Sequence, residues 1–267
     1  MDVVTEAFRD GVFSLTLNRP EKKNAMSLEL LETLYRALKN AETKGASIIV
    51  IRGAGKTFCS GGDVIEFRDS AEPAVQVDGM ADFLNRSINL VRNIPAIVIA
   101  VIEGLAVGAG MSLALACDLT LAEAKAVMNM GYRRIGLTPD GGGSIFLPRL
   151  VGMKRFNELY FLSRNVTMEE AKEMGLVNFV VDEGDLEEEL ATLIEELKAL
   201  PMETTRKVKE LVNFSFLSGL GPIWTGRGSM CRSFPRRRHS GRGSKSSSRR
   251  DSRGLSRFQN SVWWRKA

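Results

Sequence analysis

Histidine is the scarcest chemical group in this chain of 267 residues. The only one, His239, lies far from the segments that look folded. Ser-His-Asp and Cys-His nucleophilic catalysis and histidine-ligated metal sites are therefore excluded from the main body. Three cysteines, Cys59, Cys117 and Cys231, are odd in number, far apart and in no C-x-x-C spacing. They argue against a disulfide framework and a zinc site, and they predict reduced, buried thiols. Long apolar runs are lacking as well. The stretch from Ile94 to Leu121 is broken by Pro95, Glu103, several glycines and Asp118, so it does not read as a bilayer span. The start, Met1-Asp2-Val3-Val4, has no basic residue followed by an apolar run, and so no secretory signal. A cytoplasmic protein without a membrane partner is the expectation. Nucleotide fingerprints fail too. Gly53-Ala54-Gly55-Lys56-Thr57 would need glycine at Val50 to be a phosphate loop, and Gly108-x-Gly110 meets Leu113 where G-x-G-x-x-G needs its third glycine. No metal and no redox cofactor are expected, and acid/base chemistry falls to carboxylates, Tyr, Lys or Arg.

What is present is an apolar content of 44%, enough for one sizeable α/β core with an appended piece. The net charge of +5 hides an asymmetry. Residues 219–267 hold 13 of the 37 Lys and Arg and one of the 32 acids, which leaves 24 bases against 31 acids, a net of −7, in residues 1–218. The tail, with Arg236-Arg237-Arg238 and Gly241-Arg242-Gly243-Ser244-Lys245-Ser246, has no apolar periodicity and reads as disordered. Guanidinium groups pair well with phosphate, which makes nucleic-acid binding one reading of it. A shifted reading frame beyond Leu217, turning Glu, Lys and Arg codons into Arg, Gly and Ser, is the preferred reading. A nucleic-acid partner is not the expectation.

Alternation in Val12-Phe13-Ser14-Leu15-Thr16-Leu17 predicts a strand. Ser27 caps a helix carrying Leu30, Leu31, Leu34, Leu38 and Ala41 at helical spacing, and Gly45 stops it. Ile48 to Ile51 follows as a strand buried on both faces, giving a β-α-β rhythm. The rhythm recurs with a helix from about Asp82 to Arg92, a strand from Ala96 to Ile102, a helix from Gly110 to Ala116 and a strand from Leu119 to Ala122. Thr167 caps a short helix, Leu176 to Val181 reads as a last strand, and Asp185–Leu200 and Pro201–Leu217 read as amphipathic helices.

Two glycine-rich turns, Phe58-Cys59-Ser60-Gly61-Gly62-Asp63 and Gly104 to Gly110, each follow a β-branched run and lead into a helical pattern. Such joints leave backbone N–H groups without partners at the positive end of a helix dipole, and two together can grip one developing negative oxygen. A third segment, Gly136-Leu137-Thr138-Pro139-Asp140-Gly141-Gly142-Gly143, sets one carboxylate among residues that cannot crowd a ligand. Ser112 has neither G-x-S-x-G around it nor a histidine to activate it, and reads as a small residue on a packed helix. Asp63 reads as a helix N-cap or first-turn acid and Asp118 as the end of a buried helix.

F-C-S-G-G-D at 58–63, the run from Ile94-Pro95-Ala96 through Glu103 to Gly110 and on to Cys117-Asp118, and G-L-T-P-D-G-G at 136–142 together resemble the enoyl-CoA hydratase/isomerase (crotonase) superfamily. Asn18-Arg19-Pro20 with Asn24-Ala25, and A-K-E-M-G-L-V at 171–177, resemble its opening and later motifs. The resemblance runs from about residue 3 to 217. It implies a spiral of ββα units over residues 1–200, the start of a helical C-terminal region at 201–218, and an atypical tail at 219–267. It also implies an acyl-CoA substrate, with coenzyme A as part of that substrate and no separate cofactor, and a homotrimer or hexamer where the C-terminal region is intact. By the same resemblance the N–H groups of Gly62 and Ala109 hold the oxygen of a thioester enolate, and Ala25, Ser60, Asp63, Val64 and Ile65 contact coenzyme A, mostly through backbone. The two glutamates of the hydratases fall on Ser112 and Tyr132, so neither is a carboxylate here. Asp140 stands where several relatives carry a catalytic aspartate. Tyr132 either shapes the acyl pocket or donates a hydrogen bond. A single carboxylate above an enolate suffices to move a double bond from 3-enoyl to 2-enoyl, which makes an isomerase the leading expectation. A hydratase is the alternative, and a non-catalytic acyl-CoA- or RNA-binding member the second.

Overall fold

A computed structural model describes residues 2–217 of the chain. The expectations for the tail, Cys231 and His239 lie outside the described residues. The chain opens with β1 (Val4–Arg9) and β2 (Val12–Leu17), an antiparallel hairpin whose two linking residues, Asp10 and Gly11, both have positive φ (50° and 79°). Asp-Gly supplies the primed turn that matches strand twist. Next come α1 (Leu28–Thr43), β3 (Ile48–Gly53), α2 (Val64–Asp69), α3 (Pro73–Asn93), β4 (Ile97–Ile102), β5 (Leu105–Val107) and α4 (Ala109–Ala116). They are followed by β6 (Leu119–Glu123), β7 (Val127–Asn129), α5 (Gly143–Leu162), β8 (Val166–Thr167), α6 (Met168–Glu173), β9 (Phe179–Val181), α7 (Leu186–Lys198) and α8 (Met202–Leu217).

The expected caps are present: the Ser27 hydroxyl accepts from Leu30 N at 3.1 Å, and Thr167 Oγ1 accepts from Glu170 N at 3.2 Å. Six strands form one sheet in the order β1-β2-β3-β4-β6-β9, parallel from β2 onward, and β5, β7 and β8 form a second. The double-faced burial expected for residues 48–51 is realised by alternation. Ile49 and Ile51 of β3, with Val98, Ala100 and Ile102 of β4, face the core beneath α1 and α3. Ile48 and Val50, with Ile97, Ile99 and Val101, pack on Leu186, Leu190 and Leu193 of α7. Helix α3 begins nine residues before the expected Asp82, with a proline at its first position. Strands β1, β5, β7 and β8 were not expected. The last three are only three, three and two residues long, and such short pieces exist only through their pairing partners.

Helix α8 is anchored by charge rather than apolar burial. Lys209 Nζ donates to Asp118 Oδ2 (2.7 Å) and to the carbonyls of Ala96 and Val91, while Arg92 reaches Asp118 Oδ1 at 3.0 Å. Asp118 also accepts from Val98 N, so its structural reading holds. Among the described residues no helix is long and apolar enough to cross a membrane.

Candidate active site

The two glycine turns lie side by side. Cys59 N donates to Leu105 O (2.8 Å) and Val107 N to Cys59 O (2.9 Å), an isolated parallel bridge that zips residues 58–61 onto β5. Glycine is required where they touch. A Cβ on Gly110 would sit 2.7 Å from Cys59 Cβ and carbonyl oxygen, and one on Gly61, at φ 102°, would sit 3.1 Å from Val107 O and 3.9 Å from Ala109 N. On its other edge the first turn is held by Met26, whose N–H donates to Gly61 O (2.8 Å) and whose carbonyl accepts from Asp63 N (2.9 Å). By strand alternation the N–H of Gly62, between those two bonds, faces away from Met26. Ala109 is the first residue of α4, so its N–H has no acceptor within the helix. Among the described residues, neither N–H has a hydrogen-bond acceptor.

The segment 18–26 braces this turn. Arg19 donates to the Ala25 carbonyl (2.6 Å) and to Asp63 Oδ2 (2.9 Å), and buried Asn24 donates to Ala54 O and Thr57 O. Asp63 caps α2 by accepting from Glu66 N, one of its two expected roles, and its ion pair with Arg19 is partly buried. Both Asp63 carboxylate oxygens thus accept hydrogen bonds, and its backbone is engaged as well, the N–H on Met26 O and the carbonyl by Phe67 N at 3.4 Å. Ala25 is buried, Ser60 is half-buried with its N–H on Lys23 O, and Val64 and Ile65 form the first turn of α2, with Ile65 exposed. Cys59 and Cys117 are both buried free thiols, each pushed up to about 12 by desolvation, so neither serves as a nucleophile.

Asp140 enters from the loop before α5, pinned by Gly143 N on its carbonyl and by Asn85 Oδ1, which accepts from Gly141 N at 3.1 Å. Tyr160 Oη holds the same loop through the Leu137 carbonyl. The loop rests on α3 and α4: a Cβ on Gly141 would meet Leu84 Cδ2 at 2.8 Å and Ser112 Cβ at 3.2 Å. The carboxylate accepts from the buried Tyr132 hydroxyl at 2.6 Å, and that hydroxyl lies 2.9 Å from Ser112 Oγ. Ser112 is on α4, three residues after Ala109 and so on the same face of the helix. The Asp140 carboxylate is therefore linked through Tyr132 to the first turn of the helix that Ala109 begins. Burial pushes Asp140 up to about 6, against the downward pull of the Tyr132 hydrogen bond and of its own backbone N–H. The Tyr132 phenol lies well above its ordinary value, through desolvation first and the Asp140 charge second, and stays protonated as a donor.

The sequence reading left Tyr132 between two roles; its hydroxyl donates a hydrogen bond. Ser112 is indeed packed, fully buried, but its hydroxyl is also used. Asn85 was missed, because an asparagine within a helical pattern carries no signal of a loop that reaches it 56 residues later.

A family model described as Enoyl-CoA hydratase/isomerase matches residues 7–248. The chain belongs to the enoyl-CoA hydratase/isomerase family. Its relatives are enzymes. One, 1,2-epoxyphenylacetyl-CoA isomerase of Escherichia coli (strain K12), is 32% identical over 216 residues, covering 80% of this chain and 82% of the relative. Among solved structures, an enoyl-CoA hydratase from Mycobacterium avium subsp. paratuberculosis K-10 superposes with a TM-score of 0.78 at 30% identity, covering 86% of this chain and 92% of that one. A Thermobifida fusca YX chain in complex with acetoacetyl-CoA superposes with a TM-score of 0.75 at 30% identity, covering 82% and 89%. The mixed α/β fold with a helical C-terminal region is that of the family's solved hydratases.

Proposed function

We propose that this family member binds acyl-CoA and isomerises a 3-enoyl-CoA to the 2-enoyl-CoA, with Asp140 as the proton shuttle. The observation that carries the reading is the acid/base inventory. The Asp63 and Glu103 carboxylates at the glycine turns are ion-paired with Arg19 and Arg52, whereas Asp140 has no ion pair among the described residues, and the two positions where the resemblance puts hydratase glutamates hold Ser112 and Tyr132, both hydrogen-bonded into the Asp140 group. Hydration needs a base to activate water and an acid to protonate the carbon. A double-bond shift needs one group that takes a proton and returns it. The Asp140 carboxylate removes a proton from C2 of the 3-enoyl thioester, and the C–H electron pair flows into the thioester carbonyl. Gly62 N–H and Ala109 N–H stabilise the resulting oxyanion. Asp140 then delivers the same proton to C4 as the double bond settles between C2 and C3, so atoms and charge balance with no water and no cofactor. A base with a pKa of about 6 is ionised at neutral pH yet basic enough to accept the proton.

The relative named as an acyl-CoA isomerase and the structure in complex with acetoacetyl-CoA support an acyl-CoA ligand. Ala25, Ser60, Asp63, Val64 and Ile65 lie in or beside the braced turn as the candidate contacts of the coenzyme portion, the N–H groups of Ala25, Ser60 and Asp63 being already engaged within the protein. Met153, Phe161 and Leu162 on α5, with Leu211 and Phe214 on α8, are exposed apolar side chains that support a homotrimer or hexamer. The test uses purified protein with 3-hexenoyl-CoA and, separately, crotonyl-CoA, followed by absorbance. Turnover of the first that disappears in Asp140→Asn is the expected result. Turnover of crotonyl-CoA alone would make the protein a hydratase, and acyl-CoA binding with no turnover of either would remove the catalytic assignment.

A further inference from the structure

Accepting the reading of Asp140 as the base, we propose that Tyr132 and Ser112 act as a positioning relay. The Ser112 hydroxyl donates to the Tyr132 phenol oxygen and the phenol donates to Asp140 Oδ1, which keeps the carboxylate ionised and leaves its other oxygen to carry the substrate's proton.

Proton counting sets the direction. An ionised carboxylate can only accept, so the single phenolic proton of Tyr132 lies on the 2.6 Å contact to Asp140 Oδ1. The 2.9 Å contact between Ser112 Oγ and Tyr132 Oη must then be made by the serine's proton, with the phenol oxygen as acceptor. Each bond polarises the next in a buried setting, so the serine makes the tyrosine a stronger donor. Space is tight around the relay. A Cβ on Gly143 would sit 2.7 Å from Ser112 Oγ, which fixes the serine against the loop that carries Asp140.

The groups facing Asp140 are few. Tyr132 is its side-chain donor, Asn85 of α3 binds the next backbone N–H, and the Cys59 thiol lies near enough to act on Tyr132. Among the described residues no Lys or Arg forms an ion pair with Asp140 and no second carboxylate shifts it. The relay is therefore the side-chain counterweight to desolvation. With Oδ1 occupied by a donor, a proton arriving from the substrate settles on the other oxygen, from which it is returned to the substrate.

The experiment reads the carboxylate directly, without reference to turnover. Protein labelled with 13C at the aspartate side-chain carboxyls is titrated by NMR, and the Asp140 resonance is assigned by its loss in Asp140→Asn. The native midpoint is expected near 6. Tyr132→Phe removes a hydrogen bond to a charged group and is expected to raise the midpoint by about one to two pH units. Ser112→Ala leaves the phenol in place and is expected to raise it by a few tenths of a unit, roughly the share that cooperative polarisation supplies. The acid limb of kcat/KM against pH should move with the midpoint in each variant. An unmoved midpoint in folded Tyr132→Phe overturns the relay, as does a shift in Ser112→Ala equal to that in Tyr132→Phe. Should Tyr132→Phe fail to fold, Ser112→Ala decides: a rise supports the relay and no rise overturns it. Activity that survives in Asp140→Asn would instead remove the assignment of the base, while the titration would still report on the relay.

Discussion

Asp140→Asn is the substitution in which function and stability should part. The carboxyl is displaced by burial from 3.8 to about 6. Between those values the unfolded chain has already released the proton that the folded chain retains, so the folded state binds more protons. By linkage, stability falls as pH rises through this window and levels off above it. At 1.36 kcal/mol per unit the shift corresponds to a ceiling of about 3 kcal/mol. Asp140 is half-buried, and solvent screening brings the expected effect to about 1–2 kcal/mol. Asparagine keeps an acceptor for Tyr132 and carries no charge to desolvate. The assay is urea denaturation of both proteins at pH 4, 5, 6 and 7.5, alongside turnover of 3-hexenoyl-CoA. The variant should match the native protein near pH 4, exceed it by about 1–2 kcal/mol at pH 7.5, and lose at least ~10³-fold in kcat. A variant less stable than the native protein at pH 7.5, or a gap that does not change with pH, would refute the reasoning.

Three other perturbations follow from the same geometry. Ala109→Pro removes one N–H at the first position of α4, where proline is accommodated, and should cost roughly 3–4 kcal/mol in transition-state stabilisation with acyl-CoA affinity little changed; stopped-flow kinetics with calorimetric binding separates the two. Asp118→Ala leaves Lys209 and Arg92 without their shared partially buried carboxylate and should destabilise the fold by about 3–5 kcal/mol, read as a lowered urea midpoint. Phe161→Glu combined with Leu162→Glu places charge on the exposed apolar end of α5. Sedimentation velocity should then show a smaller assembly than the native protein, and an unchanged distribution would exclude that surface from the subunit contact.

Much of the scaffold was legible because its signals are local. Ser27 and Thr167 as caps, the leucines of α1 at helical spacing and the apolar run of β3 each depend on neighbours within a few residues, and each appears where the pattern placed it. The hairpin start at β1 was missed although Asp10-Gly11 announced it, because the strand's outward side chains are mostly exposed and give no clean alternation. The extra turns of α3 were missed because residues 73–81 mix Pro, Val, Asp and Gly, whose weak helical preference is overridden by the burial of Val77 and Met80.

By itself the sequence determined that the chain is α/β, and it singled out two glycine turns and Asp140 as the candidates for its chemistry. Those conclusions rest on residue type and on spacing along the chain. Only the tertiary structure decided that the glycine turns are zipped side by side through Cys59 and β5, and that Tyr132 and Ser112 join the aspartate in one partly buried hydrogen-bonded group. The reason is physical. A 2.6 Å contact depends on where three separate backbones are fixed by a shared core, and no segment of the chain holds that information alone.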